Sequence, residues 1–154
     1  MKRRIKVYLD TSVYNRPFDD QSQTRIRLEA EALLSIMEKA ASGAIIIIGS
    51  STLLYENSQN PFANRKERVS SFLDIASKII TVSDKVKMKA VSLEHAGIEP
   101  IDALHLACAE AGGAEYFVTC DDNIIKKARK DQDMVQIAIC GPLEFILKEV
   151  FKNA

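Results

Sequence analysis

The most constraining feature of the sequence is a run of five apolar residues, Ala44–Ile48, four of which are isoleucines. Branched side chains of this kind favour an extended strand. Because the run has no polar residue at alternate positions, it predicts a strand that is buried on both faces. Strands of that kind lie in the middle of parallel sheets that are covered by helices on each side. The run therefore predicts an α/β fold.

Four further segments have the composition of strands, and they alternate along the chain with segments of helical periodicity. The other predicted strands are Ile5–Leu9, Lys78–Val82, Tyr116–Thr119 and Met134–Cys140. Helices are predicted over Thr24–Ala41, from Ser50–Thr52 through Glu56, over Val69–Ala76, from Ser83 or Asp84 to Gly97, over Pro100–Ala111 and Asp121–Arg129, and from Pro142 onwards, with loops at Asn15–Asp20 and Asn57–Asn64. This alternation predicts a parallel sheet with helices on both faces. The length of 154 residues fits a single domain, 1–154.

The composition excludes some functional classes. Lys and Arg together number 21, as do Asp and Glu, so the chain has no bulk positive charge with which to hold nucleic acid. The three cysteines are an odd number without metal-ligand spacing, which favours reduced thiols and a cytoplasmic location. No apolar run approaches the ~20 residues of a membrane span. The apolar run after the basic residues at the start is too short for a secretion signal, so we expect no membrane association.

Four carboxylates stand at the edges of predicted elements, where an open α/β sheet binds its ligands. Asp10 ends the first strand, Glu56 follows the second, Asp102 lies in the first turn of a helix, and Asp121 follows the fourth strand. If the first and fourth strands are neighbours, Asp10 and Asp121 meet at one rim of the sheet. Carboxylates that are brought together repel one another, and a hard cation such as Mg²⁺ or Mn²⁺ removes that repulsion. The set therefore predicts a metal site suited to phosphoryl chemistry.

These acids also have ordinary structural roles to weigh. Asp10 would cap a helix, but Thr11 and Ser12 already supply hydroxyl groups for that turn, which favours the role of metal ligand. Asp121 and Asp122 are both candidates for the N-cap of the next helix. We expect one of them to cap the helix and the other to face the metal, with Asp122 as the alternative ligand to Asp121.

A resemblance to a known family rests on four motifs that occur in order along the chain. They are Tyr8-Leu9-Asp10-Thr11-Ser12, Glu56, Pro100-Ile101-Asp102-Ala103-Leu104-His105-Leu106-Ala107 and Phe117-Val118-Thr119-Cys120-Asp121. This set resembles the PIN-domain family, metal-dependent ribonucleases that include the toxins of VapBC-type toxin–antitoxin pairs. The resemblance implies a three-layer domain whose five-stranded parallel sheet has the order 3-2-1-4-5. It also implies Mg²⁺- or Mn²⁺-dependent cleavage of RNA to a 3′-hydroxyl and a 5′-phosphate, with Asp10, Glu56, Asp102 and Asp121 at the metal site.

Neighbouring polar residues are candidates for supporting roles. Thr11, Ser12 and Thr119 are candidates for holding the carboxylates in place, and Tyr14, Arg16, Lys126 and Lys127 are candidates for contact with RNA. For each of them, an ordinary role in packing or solvation is about as probable or more so. His105 follows Asp102 by one helical turn, and we expect it to be a packed helix residue.

The resemblance also implies partners, namely an RNA substrate, a cognate antitoxin and a second copy of the chain. The candidate apolar surfaces for pairing lie around Phe72 and Leu73 in one helix and around Phe145, Leu147 and Phe151 in the last helix. Most of these residues are expected to pack on the sheet, so that a dimer face would use only the part left exposed.

Two other functions compete with the nuclease. One is a catalytically inactive PIN-like module for RNA binding or assembly, which the presence of all four acids argues against. The other is a phosphatase with an aspartate nucleophile. That chemistry requires a second acid two residues after the first, where this chain has Ser12.

Overall fold

The strand-forming segments of the sequence assemble into one sheet. The computed structural model describes residues 4–150 of the chain. Its strands are β1 (Ile5–Leu9), β2 (Ile45–Ser50), β3 (Lys78–Ile80), β4 (Tyr116–Val118) and β5 (Ala138–Cys140). All neighbouring strands are parallel, and their order is β3-β2-β1-β4-β5. The expected topology is therefore confirmed.

The helices connect the strands on both faces of the sheet. They are α1 (Thr11–Asn15) with a 3₁₀ turn after it (Arg16–Phe18), α2 (Thr24–Ala41), α3 (Ser51–Ser58), α4 (Ala63–Leu73), α5 (Asp84–His95), α6 (Pro100–Ala111), α7 (Asp122–Lys130) and α8 (Pro142–Phe145), which continues as a π-helical turn (Ile146–Val150). The connections from β1 to β3 progress towards one edge of the sheet, and those from β3 to β5 progress towards the other. Because such crossovers are right-handed, their helices lie on opposite faces. No helix within residues 4–150 is long and apolar enough to cross a bilayer.

The central strand β1 is buried along most of its length. Val7, Tyr8 and Leu9 have no exposed surface. Tyr8 pairs with Phe117 in β4, and their rings stack with centroids 5.5 Å apart. Side chains alternate along a strand, so Tyr8 shares a sheet face with the residue two positions later, Asp10. That face carries α6, because the Tyr8 hydroxyl contacts His105 of this helix.

The first difference from the sequence prediction lies directly after β1. Part of the segment expected to be a loop, Asn15–Asp20, belongs to α1 and the 3₁₀ turn instead. A five-residue helix of Thr, Ser, Val, Tyr and Asn has little intrinsic stability. Val13 and Tyr14 are fully buried, so tertiary packing rather than propensity holds this helix.

The second difference concerns segments whose apolar residues pack without forming the predicted element. The strand expected over Met134–Cys140 is reduced to its last three residues, Ala138–Cys140. Met134 and Val135 are buried in the core without joining the strand ladder. Conversely, α4 begins at Ala63, so a helix forms inside the segment predicted to be a break. The hydrophobic pattern located the core residues correctly but did not fix the backbone state at these edges.

The end of α6 lies very close to the sheet at Gly112. The backbone there is ordinary for a helix end, with φ −80° and ψ −4°. A Cβ atom at this position would lie 2.6 Å from Cγ2 of Ile48 and 3.0 Å from Cγ1 of Ile80. Ile48 is 2% exposed and has no space into which to move. The fold therefore requires the absence of a side chain at Gly112 rather than a special backbone conformation.

We predict that Gly112→Ala lowers the free energy of unfolding by about 1–3 kcal/mol, because the added methyl group overpacks the contact between α6 and the sheet. Helix propensity alone predicts the opposite sign. Gly141→Ala is the matched control, since its Cβ would lie 3.7 Å from the carbonyl oxygen of Thr119, an ordinary contact. The control should change stability by less than about 1 kcal/mol. Urea denaturation measures both variants, and a stabilised Gly112→Ala protein would contradict the prediction.

Candidate active site

Asp10 is the residue at which the central strand ends. It follows β1 directly and is the N-cap residue of α1, with an extended backbone (φ −81°, ψ 174°). Its amide donates to the carbonyl oxygen of Val118 in β4, at 3.1 Å, so the ends of two neighbouring strands meet here. Only 4% of Asp10 is exposed. Burial raises the pKa of its carboxyl group, while hydrogen bonds from Ser12 and Thr119 oppose that rise.

Two of the hydroxyl residues proposed to support the site link the ends of β1 and β4. Ser12 Oγ donates to Oδ1 of Asp10 and accepts from the backbone amide of Cys120, at 3.0 Å. Thr119 Oγ1 accepts from the backbone amide of Asp121, at 3.0 Å. These bonds fix the backbone from which both acids project.

Glu56 reaches from α3 into a series of buried polar groups. Its Oε1 accepts hydrogen bonds from Thr11 Oγ1 and from Nε2 of His105. Nδ1 of His105 lies 2.6 Å from the Tyr8 hydroxyl, which lies 2.6 Å from Oγ of Ser50. Burial opposes ionisation of Glu56, but the hydrogen bonds from His105 and Thr11 outweigh it and lower the pKa of this carboxyl group. Glu56 is therefore held as a carboxylate.

His105 is a site residue whose contacts the sequence did not reveal. It is packed as expected, with 2% of its surface exposed, but both of its ring nitrogens are hydrogen-bonded. One signal was present, since His105 lies one helical turn after Asp102 and therefore on the same side of α6. Its partner could not be read from spacing, because Glu56 is 49 positions away in the chain.

Asp102 and Asp121 line one cavity of about 290 Å³ between the starts of α6 and α7. The other residues that line it are Ile98, Glu99, Ile101, Asn123, Ile124 and Lys127. Burial, and then the negative charges of Asp10 and Asp121, raise the pKa of Asp102 to about 6. The charge of Glu56 acts on Asp102 as well, so the structure brings the other three predicted acids within electrostatic reach of Asp102.

Asp121 and Asp122 differ in a way that corrects the sequence prediction. Asp121 caps α7, because its Oδ1 accepts from the amide of Asn123 at 2.8 Å, and it also lines the cavity. Asp122 forms a bidentate ion pair with Arg25, at 2.8 and 2.9 Å. This pairing lowers the pKa of the Asp122 carboxyl group. Asp121 therefore both caps α7 and lines the cavity, whereas Asp122 is paired with Arg25.

Tyr14 and Arg16 do not have the exposure that contact with RNA requires. Tyr14 is fully buried, and its hydroxyl has no hydrogen-bond partner within residues 4–150. The Arg16 guanidinium is bound by Glu29, at 2.9 Å, and by Asp19, at 3.2 Å. The structure therefore corrects the expectation for Tyr14 and gives Arg16 a structural ion pair.

Lys126 and Lys127 are exposed on α7 and remain accessible to a ligand. Lys127 lines the cavity beside Asp121. Its Nζ donates to the carbonyl oxygen of Gly97, at 2.7 Å. This bond holds a positive charge at the edge of the acidic cavity.

Comparison with known proteins establishes the family of this chain. A family model described as the PIN domain matches residues 7–130, a range that includes all four acids. The chain belongs to the PIN-domain family. The crystal structure of VapBC2 from Rickettsia felis bound to a DNA fragment from its promoter has a similar fold, with 21% sequence identity, a TM-score of 0.55, and coverage of 89% of this chain and 98% of that chain. No curated protein matches the sequence.

PIN domains are generally nucleases that use divalent metals. The four acids of this PIN domain offer only oxygen donors, the type that hard cations such as Mg²⁺ and Mn²⁺ prefer. A cation would also relieve the repulsion that raises the pKa of Asp102. Within residues 4–150, no three His, Cys, Asp or Glu side chains stand close enough to hold a metal ion as they are. The donor chemistry of the four acids nevertheless fits such a cation.

We predict that Asp102→Asn stabilises the metal-free PIN domain by about 1 kcal/mol at pH 7. The shift in pKa corresponds to more than this, but Asp102 is partly solvated and its repulsion is screened. The variant keeps the shape of the side chain and removes the charge that Asp10 and Asp121 repel. Glu99→Gln is the control, because it removes an exposed carboxylate from the same cavity. It should leave stability nearly unchanged.

The same prediction has a pH dependence. The pKa of Asp102 is raised to about 6 from its ordinary 3.8, so between pH 7 and pH 5 the folded protein takes up a proton that the unfolded chain does not. Stability should therefore increase as the pH falls through 6. Glu56 acts in the opposite direction, but only below its ordinary pKa of 4.5. Thermal unfolding without metal at pH 7, 6 and 5 tests this, and an equal slope in wild type and Asp102→Asn would refute it.

Proposed function

We propose that this PIN domain is a Mg²⁺- or Mn²⁺-dependent endoribonuclease that hydrolyses phosphodiester bonds in single-stranded RNA. The observation that carries the proposal is the meeting of four carboxylates at one rim of the sheet: Asp102 and Asp121 line one cavity, and the charges of Asp10, Asp121 and Glu56 all act on Asp102. Like charges collected in a cavity at the rim of a sheet destabilise the fold, and perturbed groups of this kind concentrate at functional sites. Such an arrangement is useful when a cation binds there.

Each acid has a distinct part in this proposal. A bound Mg²⁺ or Mn²⁺ would neutralise charge on a phosphoryl group and lower the pKa of an attacking water. Asp10, Glu56, Asp102 and Asp121 would hold the ion. Asp10 is the most buried of them, and its bond from Ser12 fixes its orientation. Lys127, at the edge of the cavity, would bind an RNA phosphate.

We extend the proposal to a cytoplasmic toxin that is neutralised by a cognate antitoxin. The similar fold of VapBC2 from Rickettsia felis supports this extension. A cavity of about 360 Å³ provides a surface on which a partner helix could lie. Its lining is largely apolar and consists of Pro17, Phe18, Leu34, Arg68, Ser71 and Phe72. Pro17 and Phe18 belong to the 3₁₀ turn that follows α1, the helix whose N-cap is Asp10.

A catalytically inactive PIN-like module for RNA binding or assembly is the second candidate. One observation favours it, namely that no three potential ligands within residues 4–150 are close enough to hold a metal. Titration with Mn²⁺ separates the two functions, because the nuclease requires the ion to bind at the four acids. The inactive module would show no binding at millimolar Mn²⁺.

We predict that Asp10→Asn abolishes metal-dependent cleavage of single-stranded RNA, because the amide keeps the shape of the side chain but removes its charge. The products of the wild type should carry 3′-hydroxyl and 5′-phosphate ends. The fold should persist, since burial raises the pKa of Asp10 and the site gains nothing from its charge in the absence of metal. Gel analysis of a labelled RNA with added Mn²⁺ measures cleavage, and circular dichroism measures the fold.

Asp122→Asn is the matched control for this experiment. It makes the same chemical change at an exposed carboxylate that Arg25 engages. The control should cleave RNA at the rate of the wild type. Equal cleavage by Asp10→Asn and the wild type would show that the assigned role is wrong.

The surfaces expected to pair two copies of the chain are only partly exposed. Leu73 and Phe145 belong to the core, with 4% and 0% exposure, in agreement with the expectation that most of these residues pack on the sheet. Phe72 is partly buried and contacts Phe18, with ring centroids 6.4 Å apart. Leu147 is 67% exposed, and Phe151 lies outside the described residues. Among the described residues of this set, Leu147 and part of Phe72 therefore remain available for pairing.

We nevertheless propose a homodimer, because two copies would bring the flanking Lys and Arg residues of both sites to one RNA. Multi-angle light scattering should give about twice the mass of the chain at tens of micromolar protein, with and without Mn²⁺. A monomer mass under both conditions would reject the dimer and leave the nuclease proposal standing.

A further inference from the structure

A continuous series of hydrogen bonds connects the core of the protein to Glu56. It runs from Ser50 through the Tyr8 hydroxyl and the His105 ring to the carboxylate. Ser50 and Tyr8 have no exposed surface, and His105 has 2%. Four separate elements, namely β1, β2, α3 and α6, supply one member each. A polar series of this length in a core is maintained only if its members are satisfied.

The donors and acceptors of the series fit together in one direction. A carboxylate can only accept hydrogen bonds, so Nε2 of His105 must be protonated and donate to Glu56. In a neutral ring Nδ1 is then an acceptor, and the Tyr8 hydroxyl donates to it. Ser50 donates to the Tyr8 oxygen, while its own Oγ accepts from the amide of Leu53, at 3.1 Å. Every proton in the series then has an acceptor.

The anchor of the series does not move easily. The Tyr8 ring stacks on Phe117 at an interplanar angle of 9°, and its strand is paired on both sides. Tyr8 also lies two residues before Asp10. The strand that places Asp10 at the rim of the sheet thus also places the support of Glu56.

We propose that His105, oriented by Tyr8, is a positioning residue that fixes the Glu56 carboxylate at the metal site. Both of the hydrogen bonds to Glu56 reach Oε1, and Oε2 has no partner within residues 4–150. The series therefore selects which oxygen is left for an ion. This inference rests on the proposed nuclease function and adds to it the residues that set the geometry of one ligand.

Three variants of the full chain separate the parts of the series. His105→Leu removes the donor and keeps a side chain of similar size. His105→Gln keeps an amide that can donate to Glu56, and Tyr8→Phe removes only the hydroxyl that orients the ring. The probe is Mn²⁺ alone, and isothermal calorimetry of its binding is the readout. His105→Leu should weaken Mn²⁺ binding by about ten- to hundredfold, as loss of a hydrogen-bond partner of a metal ligand does. His105→Gln should retain most of the affinity. The affinity of Tyr8→Phe should lie between those of the two His105 variants.

A double-mutant cycle distinguishes positioning from a general structural effect. If His105 acts through Glu56, the loss caused by His105→Leu should disappear in a Glu56→Gln background. Damage to the fold would instead weaken binding by the same factor in both backgrounds. Equal Mn²⁺ affinity of the wild type and His105→Leu, or an undiminished loss in the Glu56→Gln background, would overturn the proposal.

A metal-free measurement tests the direction of the bonds. The chain has two histidines, and His95 is exposed and serves as the internal reference. Nitrogen-15 NMR should find the His105 proton on Nε2, and Tyr8→Phe should change the Nδ1 signal while that of His95 stays constant. A proton on Nδ1 would overturn the proposed orientation. A wild-type chain that binds no Mn²⁺ would overturn the nuclease proposal, and the positioning role with it.

Discussion

The burial of a carboxylate at the end of the central strand is the constraint on which the rest of the site depends. β1 lies between β2 and β4, so its carboxyl end is surrounded by neighbouring elements and Asp10 is almost wholly removed from water. An unpaired charge in that position is unfavourable. The hydroxyl of Ser12 and the turn that begins at Asp10 compensate for this in part. The remaining cost is what a cation would remove.

The two sides of the site have opposite electrostatic character. On the side of α3, hydrogen bonds from Thr11 and His105 stabilise Glu56 as an anion and lower its pKa. In the cavity between the starts of α6 and α7, burial and neighbouring anions destabilise the charge of Asp102 and raise its pKa. Glu56 is thus fixed by its hydrogen bonds in the metal-free protein, whereas Asp102 is subject to repulsion. Preorganisation of this kind is typical of sites whose ligands come from several different elements.

Much of the fold could be predicted from the sequence, because its signals are local. The isoleucines of β2, the helical spacing in α2 and α6, and the caps of α3 and α5 by Ser50 and Ser83 all act over a few residues. The four acids could be located for the same reason, since each follows a recognisable strand or helix edge. Features that depend on distant packing were not accessible, including the buried helix α1 and the loss of most of the predicted last strand. The role of His105 belongs to this second group, because it depends on Tyr8 and Glu56, which come from other elements.

The hydrogen bonds within the site also limit how many oxygen atoms its carboxylates can offer. Oε1 of Glu56 accepts two hydrogen bonds, and Oδ1 of Asp121 accepts one from the amide of Asn123. In the proposed metal site, each of these acids would therefore coordinate mainly through its second oxygen. Ca²⁺ takes about 6–8 oxygen ligands and often uses bidentate carboxylates, whereas Mg²⁺ prefers a small octahedral shell that it shares with water. If these acids hold a cation as proposed, the bonds that hold them in place would favour the smaller ion by restricting denticity.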